Sequence, residues 1–308
     1  MGVPYIKRMV YINKDTNLDG IIIKGVGGAY TILASNGKQY VCSPRGIFRN
    51  KNTTPLIGDS VTISVTDEIK QIGTLHTIKP RKNELRRPPV ANIDQVIITV
   101  ATAQPAFNAG LLDRFLVLVA YENIPVLICV NKSDITKTDS SFAPYIMAGY
   151  PLVYTSATTN EGLNSLRTHM AGKINVFAGP SGVGKSSLIN ALSPKLTLVT
   201  GELSTKLGRG KHTTRHSEIF PLSADDPTMG YCVDTPGFTS LEIETIPKNE
   251  LSSLFPEFEP YTGECRFNNC LHIKEKDCAV KEQVGKTVHP MRYESYVKMV
   301  ESTPNYRS

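Results

Sequence analysis

The sequence predicts a multidomain α/β protein. An N-terminal OB-fold β-barrel is expected over residues 1–78, a P-loop domain with a mostly parallel sheet over 93–246, and a zinc-binding helical domain over 247–308, with a basic linker at 79–92. Three observations carry this. Short strands punctuated by Gly, Pro and Asn fill the first 78 residues, as in small barrels. Continuous apolar strands then alternate with helical stretches, the pattern of a parallel sheet covered on both faces. Three cysteines and a histidine gather after residue 264 in a segment with little apolar core of its own.

In the first segment, 29–35 and 38–43 read as strands flanking Asn36-Gly37, a dipeptide suited to the positive φ angles of a type I′ hairpin turn. Strands at 60–65 and 73–78 follow. The linker carries Lys79, Arg81, Lys82, Arg86 and Arg87 against Glu84 alone. It reads equally as a solvated connector or as a contact for RNA phosphates. Beyond it, strands are expected at 95–100, 125–130, 152–154, 174–178 and 230–234, with helices at 111–121, 140–148, 162–170 and 186–192. A helical piece at 249–254 and a helix at 290–302 complete the chain.

With 308 residues, 40% hydrophobic and 20% charged, the composition is that of an ordinary globular protein. No apolar run approaches the ~20 residues of a membrane span. Met1-Gly2 is followed by Ile6 where myristoylation needs Ser or Thr, and no signal-peptide pattern appears, so a cytoplasmic protein is expected. Net charge of +6 permits a polyanionic partner without requiring one. Nothing demands more than a monomer.

The chemistry begins at Gly179-Pro180-Ser181-Gly182-Val183-Gly184-Lys185-Ser186-Ser187, which fits G-x-x-x-x-G-K-[ST] between a strand and a helix. Its glycines let backbone N–H groups and the helix N-terminus wrap a phosphate. Lys185 reaches the β- and γ-phosphates, and the Ser186 hydroxyl suits Mg²⁺. Asn131-Lys132-Ser133-Asp134 closes a predicted parallel strand. The Asp134 carboxylate can accept the N1–H and N2 hydrogens of guanine, a donor pair that adenine lacks. Asn131 can bond across loops or to the base, and the Lys132 stem can lie over the ring. Thr155-Ser156-Ala157 matches the turn whose backbone N–H meets guanine O6. Asp234-Thr235-Pro236-Gly237 matches D-x-x-G, its aspartate serving the Mg²⁺ shell and the Gly237 N–H the γ-phosphate. The loop 208–216 offers Thr213 or Thr214 to complete that shell. Phe238 stands where many GTPases carry the water-orienting glutamine. His212 is the substitute named for it, with equal weight on a plain contact to RNA or solvent. Cys265-x₄-Cys270-x-His272-x₅-Cys278 supplies three thiolates and one imidazole, a closed set suited to one structural zinc ion.

N-K-x-D and T-S-A here precede the phosphate loop, whereas in Ras-like GTPases they follow it. The order is a circular permutation, which leaves the spatial site unchanged and joins residues 247–308 directly to the D-x-x-G segment. In these motifs, and in 87–94, Asp113-Arg114-Phe115-Leu116 and Gly210-Lys211-His212-Thr213-Thr214, the chain resembles the ribosome small-subunit-dependent, circularly permuted GTPases over nearly its whole length. The resemblance implies an OB-fold, a GTPase core, a C-terminal zinc domain with these four ligands, and hydrolysis of GTP to GDP stimulated by the small ribosomal subunit and its rRNA. It also supports a catalytic role for His212. An RNA-binding module gated by nucleotide, with incidental hydrolysis, is the alternative.

Overall fold

The computed structural model describes residues 17–45, 54–86, 89–136, 140–193, 218–223, 226–234 and 246–304. The chain divides into two compact units, Met1–Pro80 and Arg81–Ser308. Among the described residues no helix is long and apolar enough to cross a membrane.

The first unit is a five-stranded OB-like barrel of β1 (Asn17–Val26), β2 (Ala29–Ala34), β3 (Gln39–Pro44), β4 (Ser60–Asp67) and β5 (Ile72–Ile78). The order is β1-β2-β3-β5-β4, and β4 pairs back onto β1 to close it. β3 and β5 run parallel, and the other pairs are antiparallel. Alternate residues point inward, and Ile22, Ile32, Tyr40, Cys42, Val61, Ile63 and Leu75 fill the interior.

The hairpin at Asn36-Gly37 forms, but with a different turn from the one predicted. Ala34 and Lys38 bracket a three-residue loop in which Gly37 N–H donates to Ala34 O, and only Gly37, at φ +79°, is left-handed. That is a type I turn with a bulge at the glycine. Asn36 Oδ1 accepts from Lys38 N instead. The two-residue turn with both φ angles positive is Gly27-Gly28, between β1 and β2.

Residues 79–92, expected as a basic linker, carry a short antiparallel ladder of β6 (Glu84–Arg86) and β7 (Pro89–Ala91). Its basic residues are partly paired: Arg81 with Glu84 at 2.6 Å, and Lys82 with Asp94.

The sheet of the second unit holds β8 (Gln95–Ala101), β9 (Val126–Asn131), β10 (Leu152–Tyr154), β11 (Ile174–Ala178), β12 (Glu218–Pro221) and β13 (Tyr231–Asp234). Their order is β10-β9-β8-β11-β13-β12, all parallel except β12, which runs antiparallel to β13. β8 and β11 are buried along their whole length, which explains their mostly apolar sequences, broken only by the buried Gln95, Thr99 and Asn175. On one face lie α3 (Leu163–Met170) and α4 (Lys185–Leu192), packed through Leu166, Met170, Leu188 and Ile189 against Ile97, Cys129 and Phe177. Helix α1 (Ala109–Tyr121) starts where the Asn108 side chain accepts from Leu111 N at 3.0 Å. The short α2 (Ala143–Met147) follows a 3-10 turn.

After Ile246 come two 3-10 segments (Leu251–Leu254 and Pro256–Tyr261), α5 (Ala279–Glu282) and α6 (Pro290–Ser302). Phe255, Phe258, Val280, Tyr296 and Val300 form a core that includes Val117 of α1. The C-terminal segment therefore packs against the P-loop core through that helix.

Candidate functional site

Strand order reverses between β8 and β11, and the crevice beyond the carboxyl ends of such strands is where open α/β sheets bind ligands. Three predicted motifs meet there. β11 runs into the phosphate loop, with Gly179, Gly182 and Gly184 at φ +130°, +81° and +96°. A Cβ at Gly179 would collide with the Thr99 carbonyl oxygen, and one at Gly184 with the Asn131 side-chain nitrogen. Only glycine fits at these points, because the loop passes under two neighbouring strands.

Asn131 ends β9 and is buried. Its Nδ2 donates to Val183 O at 2.8 Å in the phosphate loop, and its Oδ1 accepts from Ala157 N at 3.3 Å after β10. One side chain thus joins all three loops. Of the two roles the sequence left open for Asn131, the geometry provides the bond across loops. Lys132, at φ +62°, donates Nζ to Gly182 O at 2.9 Å and to Gln104 O. Ser133 N donates to Thr155 O at 3.1 Å, which holds the N-K-x-D turn against the T-S-A turn. Ser156 is buried, with its Oγ accepting from Thr159 N at 3.1 Å. Asp134, by contrast, is exposed at the rim. A carboxylate in that position can accept two donors from one planar base edge.

Lys185 Nζ lies 2.7 Å from both the Gly179 and Pro180 carbonyl oxygens. Burial lowers its pKa. Helix α4 begins at Gly184 without a side-chain cap, so its first N–H groups face the loop, with Ser186 and Ser187 in the first turn. Asp234 is placed by its backbone at the end of β13, next to β11. His212, Thr213, Thr214, Gly237 and Phe238 lie outside the described residues.

Thr102 and Gln104 belong to the same corner and were not anticipated. Thr102 Oγ1 donates to Lys132 O at 2.8 Å, and Gln104 holds the Lys132 ammonium. The available signal was their position just past the carboxyl end of β8.

The second centre is the cluster of Cys265, Cys270, His272 and Cys278, whose ligand atoms all lie within 4.8 Å of one another. Cys265 Sγ is 3.5 Å from His272 Nδ1 and 3.8 Å from Cys278 Sγ, and His272 Nδ1 is 3.3 Å from Cys278 Sγ. Zn–S bonds of ~2.3 Å and a Zn–N bond of ~2.0 Å in a tetrahedron give edges of about 3.5–3.8 Å, so the donor set fits one zinc ion. The supporting groups were not visible in the sequence. The Glu275 carboxylate accepts from Leu271 N at 2.8 Å, Ile273 N at 2.8 Å and Lys274 N at 3.0 Å. Tyr293 and Tyr296 hydroxyls donate to His272 O at 2.7 Å and Leu271 O at 2.8 Å. Together they fix the left-handed His272 turn, at φ +57°.

Comparison with known proteins agrees with this architecture. A family model described as RsgA GTPase matches residues 78–244, and one described as RsgA N-terminal domain matches residues 19–72. The chain is similar to the small ribosomal subunit biogenesis GTPase RsgA of Alkaliphilus metalliredigens, with 46% identity over 286 residues, covering 91% of this chain and 96% of the relative. The protein of the same name from Geobacillus thermodenitrificans is 44% identical over 299 residues, covering 94% and 99%. The crystal structure of YjeQ from Thermotoga maritima superposes with a TM-score of 0.81 at 35% identity, over 94% of this chain and all of that one. YloQ, described as a circularly permuted GTPase, gives 0.80 at 36% identity over 96% and 98%.

Proposed function

Because the chain belongs to the RsgA family of circularly permuted GTPases, we propose that it binds the small ribosomal subunit and couples GTP hydrolysis to late subunit maturation or to its own release. The observation that carries the nucleotide part is Asn131, which bonds the phosphate loop and the T-S-A turn at once and so holds base and phosphate subsites at a fixed separation.

In this reading Asp134 accepts the N1–H and N2–H of guanine, and O6 meets the T-S-A turn at the Ala157 N–H, which shares its proton with Asn131 Oδ1 at 3.3 Å, while the Ser156 N–H holds the turn through Glu161 O at 3.0 Å. ATP is disfavoured because adenine lacks the N1–H and N2–H donor pair that Asp134 accepts. Lys132, clamped between the Gln104 and Gly182 carbonyls, lays its stem along the base pocket. The loop backbone from Gly179 through Ser187 wraps the β-phosphate, with N–H groups of Ser181, Gly182, Val183 and Gly184 and of the first helical turn facing it, while Pro180, which has no N–H, shapes the loop. Lys185 moves its ammonium from two loop carbonyls to the β- and γ-oxygens. Magnesium bound with GTP supplies charge neutralisation on those oxygens. Ser186 holds it with Asp234 and one of Thr213 and Thr214, while Gly237 N–H contacts the γ-phosphate. His212 orients the attacking water, a role that Phe238 cannot fill. Zinc at Cys265, Cys270, His272 and Cys278 supplies a structural cross-link and no chemistry, because all four positions are protein ligands.

The barrel and the zinc module contact rRNA, and the nucleotide state sets the affinity. The setting is the cytoplasm, and the protein acts as a monomer. Phosphate release from GTP and ATP, with and without purified small subunits and with Lys185→Ala as control, tests this. The expected result is GTP-specific turnover that rises with subunits and disappears in the variant. Turnover indifferent to subunits would refute the coupling. Negligible turnover even with subunits present would select the nucleotide-gated RNA-binding alternative.

A further inference from the structure

Beside the zinc centre a cavity of about 390 Å³ opens, lined by Asn249, Ser252, Thr262, Phe267, Asn268 and Asn269 around a floor that includes zinc-ligand residues. Its size is at the small end of ligand pockets. The lining contains hydroxyls, carboxamides and aromatic rings but no Lys, Arg, Asp or Glu. The cation beside Phe267 in the lining, Arg266, is paired with Asp277 at 2.9 Å, so a phosphate or a carboxylate would find no unspent counter-charge there. The ligand that suits it is neutral and rich in hydrogen-bond groups.

A carboxamide offers two donors and an acceptor. Among the described residues the side chains of Asn249, Asn268 and Asn269 make no hydrogen bond. All three are exposed to solvent, so three adaptable amides border one small space with donors and acceptors open to a ligand that displaces water. Phe267 is 45% exposed, so one part of its ring is open to a ligand. The Arg266 guanidinium lies 5.6 Å from the centre of that ring and steadies one side of it. A flat aromatic face beside amides suits a planar ligand that stacks on the ring and bonds along its edge.

Residues 247–304 hold eight Lys and Arg against nine Asp and Glu, so this part of the chain has no basic excess for gripping a duplex backbone. RNA is read instead through unpaired bases, which stack on aromatic or guanidinium planes and bond along their edges.

We propose that this cavity takes one unpaired nucleobase, stacked on Phe267 and read along its edge by Asn249, Asn268 and Asn269. The proposal rests on the reading of the small subunit as partner, and it names how the zinc module recognises that RNA. Zinc loading shapes the pocket, since Cys265, Cys270 and His272 form its floor.

The test is chemical probing of purified small subunits with dimethyl sulfate and a carbodiimide, which together report the Watson–Crick edges of all four bases. The full-length protein is compared with Phe267→Ala, Asn249→Ala and the pair Asn268→Ala/Asn269→Ala. The parent should protect one unpaired base that each variant leaves reactive, while the rest of the footprint persists. Loss of one base–aromatic stack should weaken subunit affinity in Phe267→Ala roughly 5- to 150-fold. Zinc content and GTP affinity should stay at parental values. If the asparagine pair loses zinc, Asn249→Ala and Phe267→Ala decide the matter, since neither side chain is a zinc ligand. Variants that keep every protection and the parental affinity would overturn the pocket and leave the functional reading standing. A parent protein that fails to bind small subunits at all would overturn that reading instead.

Discussion

Arg292 is the residue whose removal should most disturb the second unit. It projects from α6 and is 1% exposed, with its Nε donating to Glu257 Oε1 at 2.7 Å and its Nη1 to Asp113 of α1. Both carboxylates are as buried as the guanidinium. The rings of Phe255, Tyr145 and Tyr150 surround it, 4.7, 5.4 and 5.5 Å from Cζ. Burial alone would lower the Arg292 pKa, but the charges of Asp113 and Glu257 outweigh it and raise it, so the group stays charged at any pH the fold survives. Replacing Arg292 with Met keeps most of the stem volume but strands two carboxylates in an apolar interior. Breaking a buried pair in this way costs about 3–5 kcal/mol, mostly the penalty of the unpaired charge. The triple change Asp113→Leu, Glu257→Met and Arg292→Met removes all three charges together and should recover most of that loss. Urea unfolding of the second unit, followed by zinc release and circular dichroism, reads both. High salt should not reduce the effect, because the triad is shielded from solvent ions. A cost below about 1 kcal/mol for Arg292→Met, or a triple variant as unstable as the single, would refute the argument and assign the joint to ring stacking instead.

Asn131→Ala leaves Val183 O and Ala157 N without their bonds, and GDP affinity measured by calorimetry should fall on the order of ten-fold, from about 1–3 kcal/mol of lost organisation. Unchanged affinity would show that the loops hold their spacing without it. Chelation of zinc, or Cys278→Ser, should unfold residues 265–278 while the barrel keeps its own transition, which hydrogen exchange resolves. Burial by itself would raise the Glu275 pKa, yet the N–H donors of Leu271, Ile273 and Lys274 outweigh it and hold the carboxylate below its usual 4.5. A depressed native pKa contributes stability above the unfolded value and loses it as pH falls through the native one. The stability gap between the parent and Glu275→Gln should therefore be full near neutrality and close in acid, and a gap independent of pH would contradict this.

What could be read from the sequence was local. The phosphate loop needs a strand, glycines with positive φ and a helix within about twenty consecutive residues, and Ile174–Ala178, Gly179–Gly184 and Lys185–Leu192 supply them in that order. The alternation of buried strands and helices from Gln95 onward, and the four metal-binding side chains within fourteen residues, are equally contiguous. Turn type was less legible. Asn36-Gly37 marks a hairpin, but strand register makes its loop three residues long, and register is a property of two strands together. β12 is four residues long, too short for a periodic signal, and its direction is set only by pairing with β13. Tertiary structure alone decided that Asn131 ties the loops and that Arg292 meets Asp113, 179 residues away. A conformational preference acts on neighbours in the chain and leaves its mark in their order. A buried bond between distant residues depends on where the whole fold brings them, and no local pattern records it.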